Sequence, residues 1–282
     1  MFQYEITQDG LTIEELLRSK WRLGKKIVHE LRMAKAVTFK DGAPVQWKDN
    51  LEAGTILQFT FDIPKSNYVP SDSFDIAIQY EDDHCLIVSK PKGMATHPND
   101  PQDKDTCMNQ VIAHIQKNGG QYAEHVHRLD RGTKGLLLVA KHPIAKSIFD
   151  RMIEEKSIIR TYEAEVQGNI RQESGTINAP IGKDRHHATR RVVSKSGQHA
   201  VTHFEVVKRF KNTCLVHLVL ETGRTHQIRV HMAHIGHPIV GDTMYNARKT
   251  ASGDYELHAI QLEFEHPFLN KTITIKDNDH TI

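Results

Sequence analysis

The chain has 282 residues, 38% of them hydrophobic and 26% charged, a balance that excludes a disordered tail and fits one large or two modest globular domains. Thirty-seven Lys and Arg stand against 35 Asp and Glu, and the resulting formal charge of +2 names no partner by itself. No apolar run approaches the ~20 residues of a membrane helix, and the start, Met1-Phe2-Gln3-Tyr4-Glu5, lacks the basic-then-apolar pattern of a secretory leader.

In chain order, the first ~60 residues form a unit that is small for a core of its own but feasible. Apolar spacing predicts helices over residues 11–19 and 24–35. Val37-Thr38-Phe39 and Val45-Gln46-Trp47, on either side of the turn at 40–44, read as a hairpin, and 55–61 as a last strand. Seven Lys or Arg between Arg18 and Lys35 face one acid, Glu30. Such a face is either a solvated surface or a contact for a polyanion. Residues 62–73 hold two prolines and three serines and read as a linker. The organisation this implies is a unit at 1–62, a linker at 63–75 and a larger unit at 76–282.

Beyond the linker, residues 76–80 and 85–89 suit strands on either side of the acidic turn Glu81-Asp82-Asp83. A helix over 106–117, a buried strand over 135–140 and an amphipathic helix opened by Pro143 follow. Residues 160–166, 201–208 and 213–220 alternate like strands of a half-covered sheet. Strands outnumber helices and no regular βαβ alternation appears. The expected fold is therefore α+β, with a largely antiparallel mixed sheet and flanking helices. Neither GxGxxG nor GxxxxGK[ST] occurs, which argues against a nucleotide cofactor. Cys85, Cys107 and Cys214 are odd in number and far apart, the pattern of reduced thiols in a cytoplasmic protein.

The near-neutral total hides segregation. Ten Lys or Arg lie between Lys183 and His231, among them Arg190, Arg191, Arg224 and Arg229, against three acids. Seven of the 19 His fall in the same stretch, where most are expected to border a phosphate-bearing partner. Two segments could carry chemistry. His127-Arg128-Leu129-Asp130-Arg131-Gly132-Thr133 precedes the apolar strand Leu136-Leu137-Leu138-Val139-Ala140, and such a loop is a firm mount for Asp130. Basic neighbours on both sides favour an ionised carboxylate there, though an ion-pair cluster would look the same. Gly223-Arg224-Thr225-His226-Gln227-Ile228-Arg229-Val230-His231 reads as a loop leading into a helix N-terminus, a natural anion site.

Together the two segments resemble the RluA family of pseudouridine synthases over residues 76–282. Lys90-Pro91-Lys92-Gly93 is similar to the family's KPxG turn, Arg160-Thr161-Tyr162 to its K/RxY strand and Gly241-Asp242-Thr243-Met244-Tyr245 to its GDxxY segment. Residues 1–62 look like the S4 RNA-binding domain often attached to it, in a degenerate form. The resemblance implies that Asp130 is the essential aspartate and that Arg128 enters the RNA stack. It implies that Tyr162 packs on the flipped uracil and that Arg229 is the basic partner of the carboxylate, with Ile228 beside it. Arg224, His226, Gln227, Arg190 and Arg191 are the expected RNA contacts. The implied reaction breaks N1–C1′, turns the uracil and forms C5–C1′, and it needs no cofactor or metal. The implied partner is structured RNA, ribosomal rather than transfer RNA, and a monomer is expected because the RNA itself supplies the large surface. Two positions depart from the family pattern: Lys134 stands for a serine and Asn246 for a glycine.

Other classes make different demands. A metal hydrolase could use His226, His231, His234 and His237, but their offsets are not the i, i+4 pair of a zincin helix. A binding protein without catalysis would have no use for the Asp130, Tyr162 and Arg229 set. A glycosidase needs paired carboxylates, and only one acid is well placed.

Overall fold

The computed structural model describes residues 1–250 and 253–277. The N-terminal unit starts with β1 (Phe2–Glu5) and a short helix α1 (Ile13–Glu15), which runs into a π-helical turn at Leu16–Lys20. Helix α2 (Lys25–Met33), β2 (Val37–Phe39) and β3 (Ile56–Phe59) complete it, and the three strands form an antiparallel sheet in the order β1-β3-β2. Thr12 caps α1 in a reciprocal box with Glu15. The expected strand at 45–47 is absent, and only a bridge from Thr38 to Pro44 remains of that hairpin. Trp47 instead packs under the Arg32 guanidinium at 4.4 Å, and its carbonyl accepts from the Glu14 amide.

The larger unit runs β4 (Ala77–Glu81), β5 (Cys85–Lys90), α3 (Cys107–Lys117), β6 (Glu124–His125), β7 (Lys134–Ala140) and α4 (Pro143–Glu154). Then come β8 (Ile159–Gln167), β9 (Ser174–Asn178), the hairpin of β10 (Ile181–Lys183) and β11 (Arg191–Val193), β12 (Val201–Arg209) and β13 (Thr213–Leu220). Helix α5 (Gln227–His234), β14 (Leu257–His266) and β15 (Lys271–Lys276) close the described chain. One ten-stranded sheet runs β4-β5-β7-β14-β8-β13-β12-β9, with β6 on β7 and β15 on β14. Among the described strands only β7 and β14 pair in parallel, so the α+β, largely antiparallel expectation holds.

The apolar run of β7 is continuous because both its faces are buried. Leu136 and Leu138 face the cluster containing Phe149 of α4, while Leu137 and Val139 face the cluster of Val111 and Ile112 on α3. The first of these clusters extends without a break into the N-terminal unit. Phe2, Trp21 and Phe59 pack with Phe268, and His84 stacks on Phe268 at 3.9 Å. Polar contacts follow the same seam: the Trp21 indole donates to the Pro267 carbonyl, Arg151 donates to the Trp21 carbonyl, and Arg22 pairs with Glu155.

Part of the basic face at 18–35 is paired within the molecule, although all seven of its cations stay exposed. Arg18 and Arg32 both reach Glu14, and Lys20 donates to Tyr4, Thr7 and Asn270. The proline-containing connection is also pinned. Ser66 donates to the Gln121 and Ala123 carbonyls, and Tyr68 bonds Glu124 and His125.

Candidate active site

Asp130 sits in the loop between β6 and β7, and its mount is built from neighbouring backbone. The Thr96 hydroxyl donates to the Leu129 carbonyl at 2.7 Å and accepts from the Leu129 amide at 3.0 Å. The Gly93 amide donates to the Arg131 carbonyl, and Arg131 Nε returns a bond to the Gly93 carbonyl. Gly93 lies at φ +83°, a left-handed conformation glycine adopts without strain. Lys90, fully buried, donates to the carbonyls of Pro91 and Met94 and, at 3.4 Å, of Arg131. Burial draws its ammonium down to about 8, against weaker opposition from Cys107 and Asp130. The KPKG segment is thus a backing for the Asp130 loop. His127, beside that loop, accepts from the Leu138 amide at Nε2, which puts its hydrogen on a buried Nδ1 that has no partner among the described residues. Burial pushes this imidazole down to about 3.

Opposite the loop stands α5. Its N-cap, His226, adopts φ +59°, unusual for a residue with a side chain. Arg229, one turn in, reaches Asp130 only at 3.5 Å, through Nη1 to Oδ2. Its main partner is Asp242, which it grips through Nε at 2.7 Å and Nη2 at 2.9 Å, the bidentate geometry of a strong pair. The ring of Tyr255 lies 4.4 Å from the guanidinium and that of Tyr245 5.1 Å away. Burial is the largest single influence and favours the neutral form, but Asp242, Tyr255 and Asp130 together outweigh it and hold Arg229 more firmly protonated than usual. Expected as the direct partner of Asp130, Arg229 is first the partner of Asp242 and faces Asp130 with its remaining nitrogen. The GDxxY segment was legible, but the role of Asp242 was not.

A cavity of about 260 Å³ opens between the two elements. Arg128, Asp130, Tyr162, Arg224, His226, Ile228 and Arg229 all line it. Arg128 is exposed, whereas Tyr162 in mid-sheet on β8 and Ile228 are buried. Gln227 also borders it but departs from its expected role as an RNA contact. Its oxygen accepts from Thr222 and the Arg224 amide, and its nitrogen donates to the Val201 carbonyl and Thr202. All four bonding positions of the amide are filled, so Gln227 ties the loop to β12 and has nothing left for a ligand.

Arg190 and Arg191 lie outside this cavity, on the wall of a neighbouring one of about 600 Å³ that shares Tyr245 with the α5 side. Arg190 pairs loosely with Asp184, and the Arg191 amide donates to Tyr245 Oη at 3.1 Å. The histidines divide as well. His186, His187 and His199 are exposed, but His203 and His217 pair with Glu221 and Glu163, and His231 is buried between Thr202 and the Ala179 carbonyl. Five of the seven thus keep a side chain at the surface, two of them paired with a glutamate, while His226 and His231 are turned inward. Nor do His226, His231 and His237 converge, since His237 turns to the Gln167 carbonyl. Asn246 takes φ +66°, a conformation asparagine tolerates well, which accounts for its standing where the family carries glycine.

Residues 84–234 match the RNA pseudouridylate synthase family, and residues 1–57 match the family of the RluD ribosomal pseudouridine synthase N-terminal domain. The chain belongs to the RNA pseudouridylate synthase family, and its reaction is the isomerisation of uridine in RNA. Among relatives, it is 46% identical over 202 residues to the uncharacterized RNA pseudouridine synthase YhcT of Bacillus subtilis, covering 71% of this chain and 67% of that protein. It is 40% identical over 208 residues to the ribosomal large subunit pseudouridine synthase D of Vibrio cholerae, covering 67% and 63%. The solved human RNA pseudouridylate synthase domain containing 1 superposes with a TM-score of 0.60 at 25% identity, over 78% of this chain and 87% of that one.

Proposed function

We propose that Asp130 is the essential carboxylate of this synthase and that the cavity beside it receives a uridine flipped out of structured RNA. The observation that carries this reading is the meeting of Asp130, Tyr162 and the adjacent Ile228 and Arg229, from three separate parts of the chain, on one cavity of about 260 Å³. A uridine in a folded RNA must leave its stack before C1′ can be reached, at a cost of a few kcal/mol. Arg128, exposed at the mouth, fills the gap left behind, and Tyr162 gives the uracil an aromatic face. Arg229, fixed by Asp242, presents its positive charge to Asp130 and orients it. The N1–C1′ bond breaks, the uracil turns, and C5–C1′ forms. The C5 proton leaves and N1 takes one up, so nothing is oxidised or hydrolysed.

The substrate is ribosomal RNA, as the names of several relatives say of those proteins, and the enzyme acts as a monomer in the cytoplasm. Arg224 and the Arg190–Arg191 hairpin hold phosphates around the site. The test is Asp130→Asn. It is expected to abolish pseudouridine formation in RNA while leaving RNA affinity within about threefold. Retained activity would sink the assignment. Mapping pseudouridines in total RNA with and without the gene identifies the substrate, and a change confined to transfer RNA would overturn the ribosomal reading.

A further inference from the structure

His226 is held in a way that surface contact with RNA does not explain. Its side chain is only 13% exposed and bridges two groups: Nδ1 lies 2.9 Å from Tyr245 Oη, and Nε2 lies 3.9 Å from Asp130 Oδ2. The bridge exists because the backbone turns left-handed at this one residue, a strain that the surroundings must hold.

The hydrogens in this chain of contacts follow from donor arithmetic. The Arg191 amide can only donate, so Tyr245 Oη accepts from it at 3.1 Å. Among the described residues the phenolic hydrogen has one acceptor within reach, His226 Nδ1, and it is satisfied inside the protein when that nitrogen accepts. The neutral imidazole therefore carries its hydrogen on Nε2, the atom that faces Asp130. Burial favours this neutral state, against the pull of the Asp130 and Asp242 carboxylates.

We infer that His226 is a positioning residue for the reaction: Tyr245 fixes its tautomer, and its Nε2–H holds Oδ2 of Asp130. This rests on the reading of Asp130 as the essential carboxylate. Arg229 Nη1 approaches the same oxygen at 3.5 Å. Both donors thus converge on Oδ2, and Oδ1 has no donor among the described residues. One oxygen is anchored and the other is left for the sugar. At 3.9 Å the histidine contact lies just beyond hydrogen-bond reach, as catalytic contacts often do before substrate tightens the site. No proton leaves the imidazole in this role.

The test compares His226→Gln, His226→Asn and His226→Phe on the full chain, with RNA substrate and kcat separated from KM. The glutamine amide nitrogen reaches the place of Nε2, whereas that of asparagine falls short. His226→Gln is expected to keep kcat within about threefold. His226→Asn and His226→Phe lose about 10- to 100-fold in kcat, the scale of a hydrogen bond to a charged group, with KM little changed. Asparagine tolerates the left-handed backbone better than glutamine, so a purely structural role predicts the reverse order. Tyr245→Phe is expected to lower kcat in the wild-type background and to add nothing in the His226→Gln background, where there is no tautomer to fix. Equal losses from Tyr245→Phe in both backgrounds, or an asparagine variant as active as the glutamine one, overturn the inference. Asp130→Asn, run alongside, separates the two failures. If it is inactive while the His226 variants are all alike, only the role of His226 falls. If it is active, the reading of Asp130 falls with it.

Discussion

Asp242 shows how one side chain can govern a site it does not enter. It is 2% exposed and holds two of the three guanidinium nitrogens of Arg229, leaving the third for Asp130. Asp242→Asn leaves a buried cation without its counter-charge, a change that costs about 3–5 kcal/mol when a buried pair is broken. The expected outcome is a lower denaturation midpoint together with a fall in kcat, because the freed guanidinium no longer has a fixed direction. Denaturant titration and single-turnover kinetics check the two arms separately, and unchanged stability would show that the pair is not a net support. At this scale the sequence was only partly legible. Asp130 and Arg229 stood out by their motifs, but the partner of Arg229 lies thirteen residues downstream across a turn. No periodicity links the two. Gln227 misled for a similar reason, since an amide next to basic residues looks like a nucleic-acid contact until its four bonds are traced inward.

Strand β7 and its parallel neighbour β14 show what an element requires of a single position. Gly135 lies at φ +107°, and a Cβ there would stand 2.3 Å from the Ala259 carbonyl oxygen. Gly135→Ala is therefore expected to destabilise the protein by roughly 2–5 kcal/mol, from backbone strain and overpacking together. Urea denaturation measures this, and a loss under 1 kcal/mol would mean that the β7–β14 junction relaxes easily. The same junction separates what could be read from what could not. The strands β8 and β13 alternate cleanly because one face is buried and the other is not, and β12 does so only in its middle. The strand β14 carries His258, Gln261 and Glu263 among its apolar residues and joins sequence-distant partners, so its place in the sheet is a property of the assembled fold. The β10–β11 hairpin, three residues a side, is too short to carry a pattern.

For the molecule as a whole, the N-terminal unit and the larger unit share one core. Phe268 touches Phe2, Trp21, His84 and His142. Phe268→Ala is expected to cost about 3–5 kcal/mol, and calorimetry should show a single transition in the wild type that splits or broadens in the variant. A split transition in the wild type would contradict a shared core. Acid should open the same seam. Burial pushes His84 down to about 4 and His142 well below its usual value, with the two rings bonded to each other at 3.0 Å. Burial likewise draws His125 to about 4 and His127 to about 3. As pH falls from 6.5 to 4, the unfolded chain takes up protons at these histidines and the folded one does not, so stability drops over that window. A melting temperature that stays flat between pH 6.5 and 4.5 would refute this. Composition could place these histidines on a phosphate surface as readily as in a core, because only the fold reveals which of them have lost contact with water.

The three cysteines are each buried in a different place. Cys85 belongs to the core shared with the N-terminal unit, Cys107 to the cluster under α3, and Cys214 to the cluster beneath Tyr162 and Ile228. None is in a disulfide; burial pushes the Cys85 thiol well up and that of Cys107 up to about 12, so alkylating reagents find almost no thiolate at these two while the chain is folded, and Cys214 is fully buried away from reagent. The protein thus carries one natural reporter in each of its three largest hydrophobic clusters. Timed alkylation read by peptide mass would give the order in which they come apart, with no label added.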